Sequence, residues 1–115
     1  MSKRFPHLLI QDMLSSIRKI QNNTQALSDD IILADEWMCD AIIRNMEIIG
    51  EAANQLPETL HLDFPTIPWR QIVGFRNRVI HEYAQVDMVL VLEIIRDELP
   101  KLQAKLSEIL KQLKP

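Results

Sequence analysis

Leu92, Ile95, Leu99, Leu102, Leu106, Ile109 and Leu113 recur at alternating spacings of three and four residues, the repeat of a helix packed along one seam. A strand cannot use that pattern, because its side chains alternate with a period of two. The same spacing governs a segment near the start, where Leu9, Met13, Ile17, Ile20, Thr24 and Leu27 form one stripe. Composition agrees with the pattern. The apolar residues are mainly Leu, Ile, Met and Ala, as helices prefer, while two glycines, three phenylalanines and one tyrosine leave little for a β-sandwich or barrel. With 115 residues, 47% of them hydrophobic, the chain has the size and apolar content of a single helical domain spanning residues 1–115.

Four helices are expected. The first runs from about Pro6 to Leu27, and Ser28, Asp29 and Asp30 then supply a polar break with N-cap chemistry, followed by a single turn over residues 30–34. Asp35 can cap the second helix, which stops near Leu56, before Pro57. Its predicted inner face is Trp37, Ala41, Ile48, Ile49, Ala52 and Leu56, with Asn45 near the centre of the arc. Gly50 weakens a helix interior by roughly 1 kcal/mol relative to alanine, a cost that close packing against a neighbouring backbone usually offsets. Residues 57–68 hold three prolines and read as an ordered loop, and Pro68 suits the first turn of the third helix. The fourth helix begins near Asp87 and carries the leucine seam. Pro100 interrupts it, and a kink is expected there. The second half of this helix is expected to run past the bundle. The predicted architecture is all-α, an up-down four-helix bundle with a long kinked C-terminal helix.

One cysteine, Cys39, excludes an intrachain disulfide, and the chain has no secretory signal or twenty-residue apolar run, so a soluble cytoplasmic protein without membrane contact is expected. A net charge of −3 is not that of a general nucleic-acid binder. Residues 64–81 are the exception: they contain Arg70, Arg76, Arg78 and His81 and no acidic side chain. Such a segment suits a small anionic site rather than a broad phosphate track.

Within it lies FRNRVIHEY, Phe75 to Tyr83. At 100° per residue, setting Arg76 at zero puts Trp69 at about 20°, Ile80 at about 40°, Val73 at about 60°, Ile72 at about −40° and Val79 at about −60°. Arg76 therefore stands in the middle of an apolar stripe, and a guanidinium in that setting calls for a partner. The structural reading pairs it with Glu47 or Glu51. By the same reasoning His7, His61 and His81 are each read first as structural.

The sharper reading rests on a combination. Arg76, Asn77, His81 and Tyr83 bring a permanent cation, an amide, a titratable imidazole and a phenol within eight residues. Asn77 and His81 share one row of the helix, and Arg76 and Tyr83 share another, about 100–160° away. One straight helix cannot aim both rows at one atom, whereas two copies about a two-fold axis could line a shared cleft. RNA cleavage needs a base for the 2′-hydroxyl, an acid for the leaving 5′-oxygen and a cation for the charge that builds on phosphorus. Histidine can exchange the protons, and arginine presents a fork of donors to phosphate oxygens. No histidine or cysteine has the spacing of a ligand cluster, so neither a metal nor another cofactor is expected.

Arg76–His81–Tyr83, an R-x4-H-x-Y motif with Asn77 after the arginine, resembles the signature of HEPN-domain proteins, most closely the HepT-like toxins. AIIRNMEIIGEAANQLP (41–57) is similar to that group's second helix, IPWRQIVGFRNRVIHEY (67–83) to its third, and the following Val86-Asp87 to the opening of its fourth. The likeness is weakest over residues 1–30 and after Pro100. It implies a HEPN-like homodimer and a metal-independent endoribonuclease, the toxin of a type VII-like toxin–antitoxin pair acting on RNA. It also implies a partner, an MntA-like minimal nucleotidyltransferase that adenylylates the motif tyrosine. By this resemblance Arg76 and His81 are catalytic, Asn77 supports them and Tyr83 is modified. The alternative is a non-catalytic HEPN scaffold or nucleotide-binding module for the same partner.

The two-row geometry makes a direct prediction about assembly. Light scattering at micromolar concentration is expected to give twice the chain mass. A monomer that retains cleavage activity would contradict the shared cleft.

Overall fold

A computed structural model describes residues 4–82 and 86–113, the side chains of residues 79–82 excepted. Seven helices follow one another: α1 (Pro6–Thr24), α2 (Asp29–Leu33), α3 (Glu36–Gln55), α4 (Glu58–Asp63), α5 (Trp69–Glu82), α6 (Met88–Asp97) and α7 (Leu99–Gln112). No strand occurs among the described residues. The all-α architecture matches the expectation from sequence. The four long segments are α1, α3, α5 and the broken α6–α7, and the short α2 and α4 lie in the connections.

The α1 stripe is buried as the spacing requires, with Leu9, Met13, Ile17, Ile20 and Thr24 inside. The helix ends at Thr24, not Leu27, because its last carbonyls find another partner. Arg96 of α6 donates to the carbonyl oxygens of Thr24 (3.0 Å) and Leu27 (2.8 Å) and meets the Asp29 carboxylate at 3.1 Å. One guanidinium thereby closes the α1–α2 turn. The Ser28 hydroxyl accepts from the Ile31 amide, and the Asp35 carboxylate accepts from the Met38 amide at 3.0 Å, so both predicted caps are in place.

The inner face of α3 differs from the sequence expectation. Trp37 is 85% exposed, Ala41 is exposed and Ile48 is half-buried, while Cys39, Ile42, Ile43, Met46, Ile49 and Ala53 line the core. The reason is that α3 is apolar on two sides. With Met46 at zero, Ile42 and Ile43 lie at about −40° and 60°, but Trp37, Ala41 and Ile48 fall between about 180° and 220°, on the opposite side. The expected face mixed the two arcs: Ile49, Ala52 and Leu56 are buried as expected, while Trp37, Ala41 and Ile48 belong to the outer one. Asn45, assigned to that arc, is half-buried and donates from Nδ2 to the Ala41 carbonyl oxygen at 2.9 Å, so α3 itself satisfies it. The Cys39 thiol is buried and donates to the Ile32 carbonyl oxygen at 3.3 Å, and burial with nearby carboxylates pushes its pKa up.

Residues 57–68 are not simply loop, since α4 occupies half of them. Pro57, Pro65 and Pro68 flank this helix and none falls inside it, so proline content does not forbid it. Leu60 anchors α4 in the core. The chain breaks at Glu98, with Pro100 in the first turn of α7, where a missing amide costs nothing. Glu98 keeps helical backbone angles, so the break is the expected kink, and α7 beyond it packs on α1, burying Leu99, Leu102, Leu106 and Ile109. The seam does not run past the bundle, since it is buried as far as Ile109 and its second half packs on α1. No helix among the described residues is long and apolar enough to cross a membrane.

Gly50 is where α3 and α5 approach most closely. A Cβ built there would stand 2.4 Å from Arg76 Cβ and 2.9 Å from the Ile72 carbonyl oxygen. Backbone must move to admit it. Gly50→Ala is therefore expected to destabilise the fold by about 1–2 kcal/mol, overpacking outweighing the gain in helix propensity. Gly74→Ala, whose Cβ would meet nothing within 4 Å, is expected to stabilise by up to about 1 kcal/mol. Urea midpoints of the two variants check the contrast.

Candidate active site

The candidate site lies on α5, which packs chiefly against α3. Trp69 starts the helix as a buried anchor, its indole Nε1 donating to the Phe64 carbonyl oxygen at 3.0 Å. The His61 ring stacks on it with centroids 4.5 Å apart. His61 Nε2 lies 2.9 Å from the Ala53 carbonyl oxygen, which can only accept, so this nitrogen carries the proton. His61 is thus a structural residue that ties α4 to α3 and α5. His7 stacks on Phe5, and its buried Nδ1 meets no hydrogen-bond partner among the described residues.

Seven residues after Trp69, Arg76 leaves the apolar stripe at the Gly50 contact. Its side chain is 25% exposed. Nε donates to Glu51 Oε2 at 2.7 Å, Nη2 lies 2.7 Å from the same oxygen, and Nη1 donates to Asn77 Oδ1 at 2.9 Å. Of the two carboxylates that the sequence offered as partners, Glu51 is used, while Glu47 accepts from Arg44 at 3.1 Å. Among the described residues this is the grip on Arg76: a carboxylate on one edge and an amide oxygen beside it. Such a pair orients a guanidinium while leaving it charged and within reach of solvent.

Asn77 is exposed on the flank of α5 that also carries exposed Arg70, one helical repeat earlier. His81 belongs to the last turn of α5, four residues beyond Asn77 and hence in the same row. Its side chain lies outside the described residues, and Tyr83 lies outside them altogether. The structure therefore brings Arg76 and Asn77 together and sets His81 on the same helix one turn on.

The other flank of α5 is apolar. A groove of about 430 Å³ separates it from α6 and α7, lined by Met46, Ile49, Ile72, Phe75, Leu99 and Leu102. The helix thus has a greasy side and a cationic side, with Arg76 between them. Among the described residues no cluster of His, Cys, Asp or Glu could hold a metal ion.

Comparison with known proteins gives a consistent picture. The family model described as "Ribonuclease HepT-like" matches residues 13–109. "Putative RNase MJ1380" of Methanocaldococcus jannaschii is 31% identical over 93% of this chain and 98% of its own length. "Probable ribonuclease HepT" of Thermococcus cleftensis is 30% identical over 89% of this chain and 93% of its own. No solved structure matches the chain with significance.

Proposed function

Because this chain belongs to the HepT-like ribonuclease family, we propose that it is a metal-independent endoribonuclease whose catalytic residues are Arg76 and His81, with Asn77 in support. In this reading His81 removes the proton from a ribose 2′-hydroxyl, whose oxygen attacks the adjacent phosphorus. The bond from phosphorus to the 5′-oxygen breaks, and an imidazolium returns a proton to that oxygen. Arg76 stabilises the charge that builds on the phosphate oxygens between these events. The products are a 2′,3′-cyclic phosphate and a 5′-hydroxyl. Two copies of α5 across a dimer cleft supply the base and the acid.

The observation that carries this reading is the condition of Arg76. Its stem lies in the apolar stripe, as a structural arginine's can, but its head is partly exposed, oriented by Glu51 and Asn77, five residues before a histidine. That is the arrangement a phosphate-binding cation requires.

The same reading extends to regulation. An MntA-like minimal nucleotidyltransferase is the proposed antitoxin, and Tyr83 is its target. The phenol oxygen would attack the α-phosphorus of ATP, losing its proton and releasing pyrophosphate. The attached adenylate would bring a negative charge and a bulky nucleoside to the row of Arg76, competing with the scissile phosphate and blocking access to it.

His81→Ala is expected to lower RNA cleavage by about 10²–10⁴-fold while leaving the far-ultraviolet circular dichroism unchanged. Cleavage is expected to persist in excess chelator, and a strict need for added divalent metal would refute the mechanism. Intact mass after incubation with the nucleotidyltransferase and ATP is expected to rise by whole adenylate units in wild type and not in Tyr83→Phe. Adenylate on another residue would overturn the assignment of Tyr83.

A further inference from the structure

Gly50 and Glu51 are consecutive on α3, and both meet Arg76, at opposite ends of its side chain. At the root, the missing Cβ of Gly50 allows Arg76 Cβ to come within the space a methyl group would fill, since a Cβ at position 50 would lie 2.4 Å from it. At the head, Glu51 Oε2 takes the Nε–H at 2.7 Å and stands 2.7 Å from Nη2. Asn77 Oδ1 receives Nη1 at 2.9 Å. The side chain is thus fixed at its base by shape and at its tip by charge. A flexible arginine would otherwise sample many rotamers, and each would aim the cation elsewhere.

We infer that Gly50-Glu51 is a seat that positions Arg76 for phosphate, with Glu51 acting as a positioning residue for the reaction. The inference rests on the ribonuclease reading of Arg76. Stability alone does not account for the pair, because Glu51 is 44% exposed and Arg76 25% exposed, and ion pairs with that access to water contribute little to folding. The pattern of the grip is informative. Each Nη of a guanidinium carries two N–H groups, so the hold made by the described residues, which uses one on each, leaves another on both. Those remaining donors suit two oxygens of one phosphate. Glu51 and Asn77 therefore fix the plane of the fork without consuming it. Gly50 sets its height, because a side chain there would push α5, and the Arg76 root with it, away from α3.

The test separates positioning from folding. Steady-state cleavage of a labelled RNA is measured for wild type, Glu51→Gln and Glu51→Ala, with thermal midpoints recorded in parallel. Misplacing a reacting group by about 1 Å can cost on the order of 10²-fold in rate. Glu51→Ala is accordingly expected to lower kcat by about 10- to 100-fold with little change in KM or midpoint. Glu51→Gln, which keeps an acceptor oxygen but loses the charge, is expected to fall between Ala and wild type. The same substitutions are then placed on Arg76→Lys, which keeps the cation but lacks the fork. There Glu51→Ala is expected to cost little more, because the group it orients is gone. Wild-type kcat in Glu51→Ala would overturn the inference, as would an equal loss in both backgrounds. A direct readout needs no activity. The Arg76 Nε–H resonance is expected to be protected from solvent exchange in wild type and to lose protection in Glu51→Ala. If the wild-type protein cleaves no RNA, the ribonuclease reading fails. The resonance then reports on the seat separately, and an unprotected Nε–H in wild type would refute the seat itself.

Discussion

Close approach of α3 and α5 is the constraint on which the rest of the structure depends. Helices normally stand 8–10 Å apart, held off by the side chains between them. At Gly50 there is no side chain, and Arg76 and the Ile72 carbonyl occupy its place. That contact fixes how high α5 rides on its neighbour and how it is rolled. Both settings reach every residue further along the helix: Asn77 is turned outward, and position 81 comes one turn later in the same row. On the far side of α3, α1 and the α2 turn complete the core, and α7 closes over α1. The candidate site therefore stands on a helix with a single principal neighbour, and its geometry inherits the accuracy of that one contact.

How much of this the sequence disclosed follows from how unambiguous each signal was. The α1 stripe and the leucine seam are one-sided, so their buried residues could be read directly. Ser28 and Asp35 act as caps where their side chains predict, and Asp87, near which the fourth helix was expected to begin, caps α6, since capping is a local interaction that tertiary packing did not override. The α3 face was misread because Trp37, Ala41 and Ile48 form a second apolar arc opposite Met46, and choosing between arcs needs knowledge of the neighbours. The tryptophan left outside at 85% exposure is the clearest mark of that choice. The α4 helix escaped notice because proline was counted as a breaker without regard to where the prolines fall. Arg96 gave no local signal at all, since its acceptors at Thr24 and Leu27 are distant in sequence.

The candidate site was legible in a different way. Arg76 drew attention by violating the pattern around it, and the structure relieves the violation with Glu51, one of two carboxylates the spacing had offered. Gly50, expected to mark a close approach, marks the approach to that same arginine. Two independent anomalies, a glycine inside one helix and a cation inside the stripe of another, are a single feature seen from both sides. An acidic chain can carry such a site because the local charge matters more than the total. Residues 64–81 hold no carboxylate of their own, and the one that reaches Arg76 comes from another helix.

The packing of α7 on α1 has a consequence for the order in which the chain can acquire its shape. Helices α1 and α3 can pair soon after both exist, but the surface of α1 that receives Leu102, Leu106 and Ile109 stays uncovered until α7 is made. Synthesis runs from the N-terminus, so α1, α3 and α5 all exist before this closure. The nascent α1–α3–α5 layer would then carry the arginine seat while its core was still open to water, a stage at which exposed apolar surface invites association. Premature termination after α6 would leave that stage permanent. Closure of the core therefore waits on α7, and the break at Glu98, just ahead of Pro100, is the joint that lays that helix on α1.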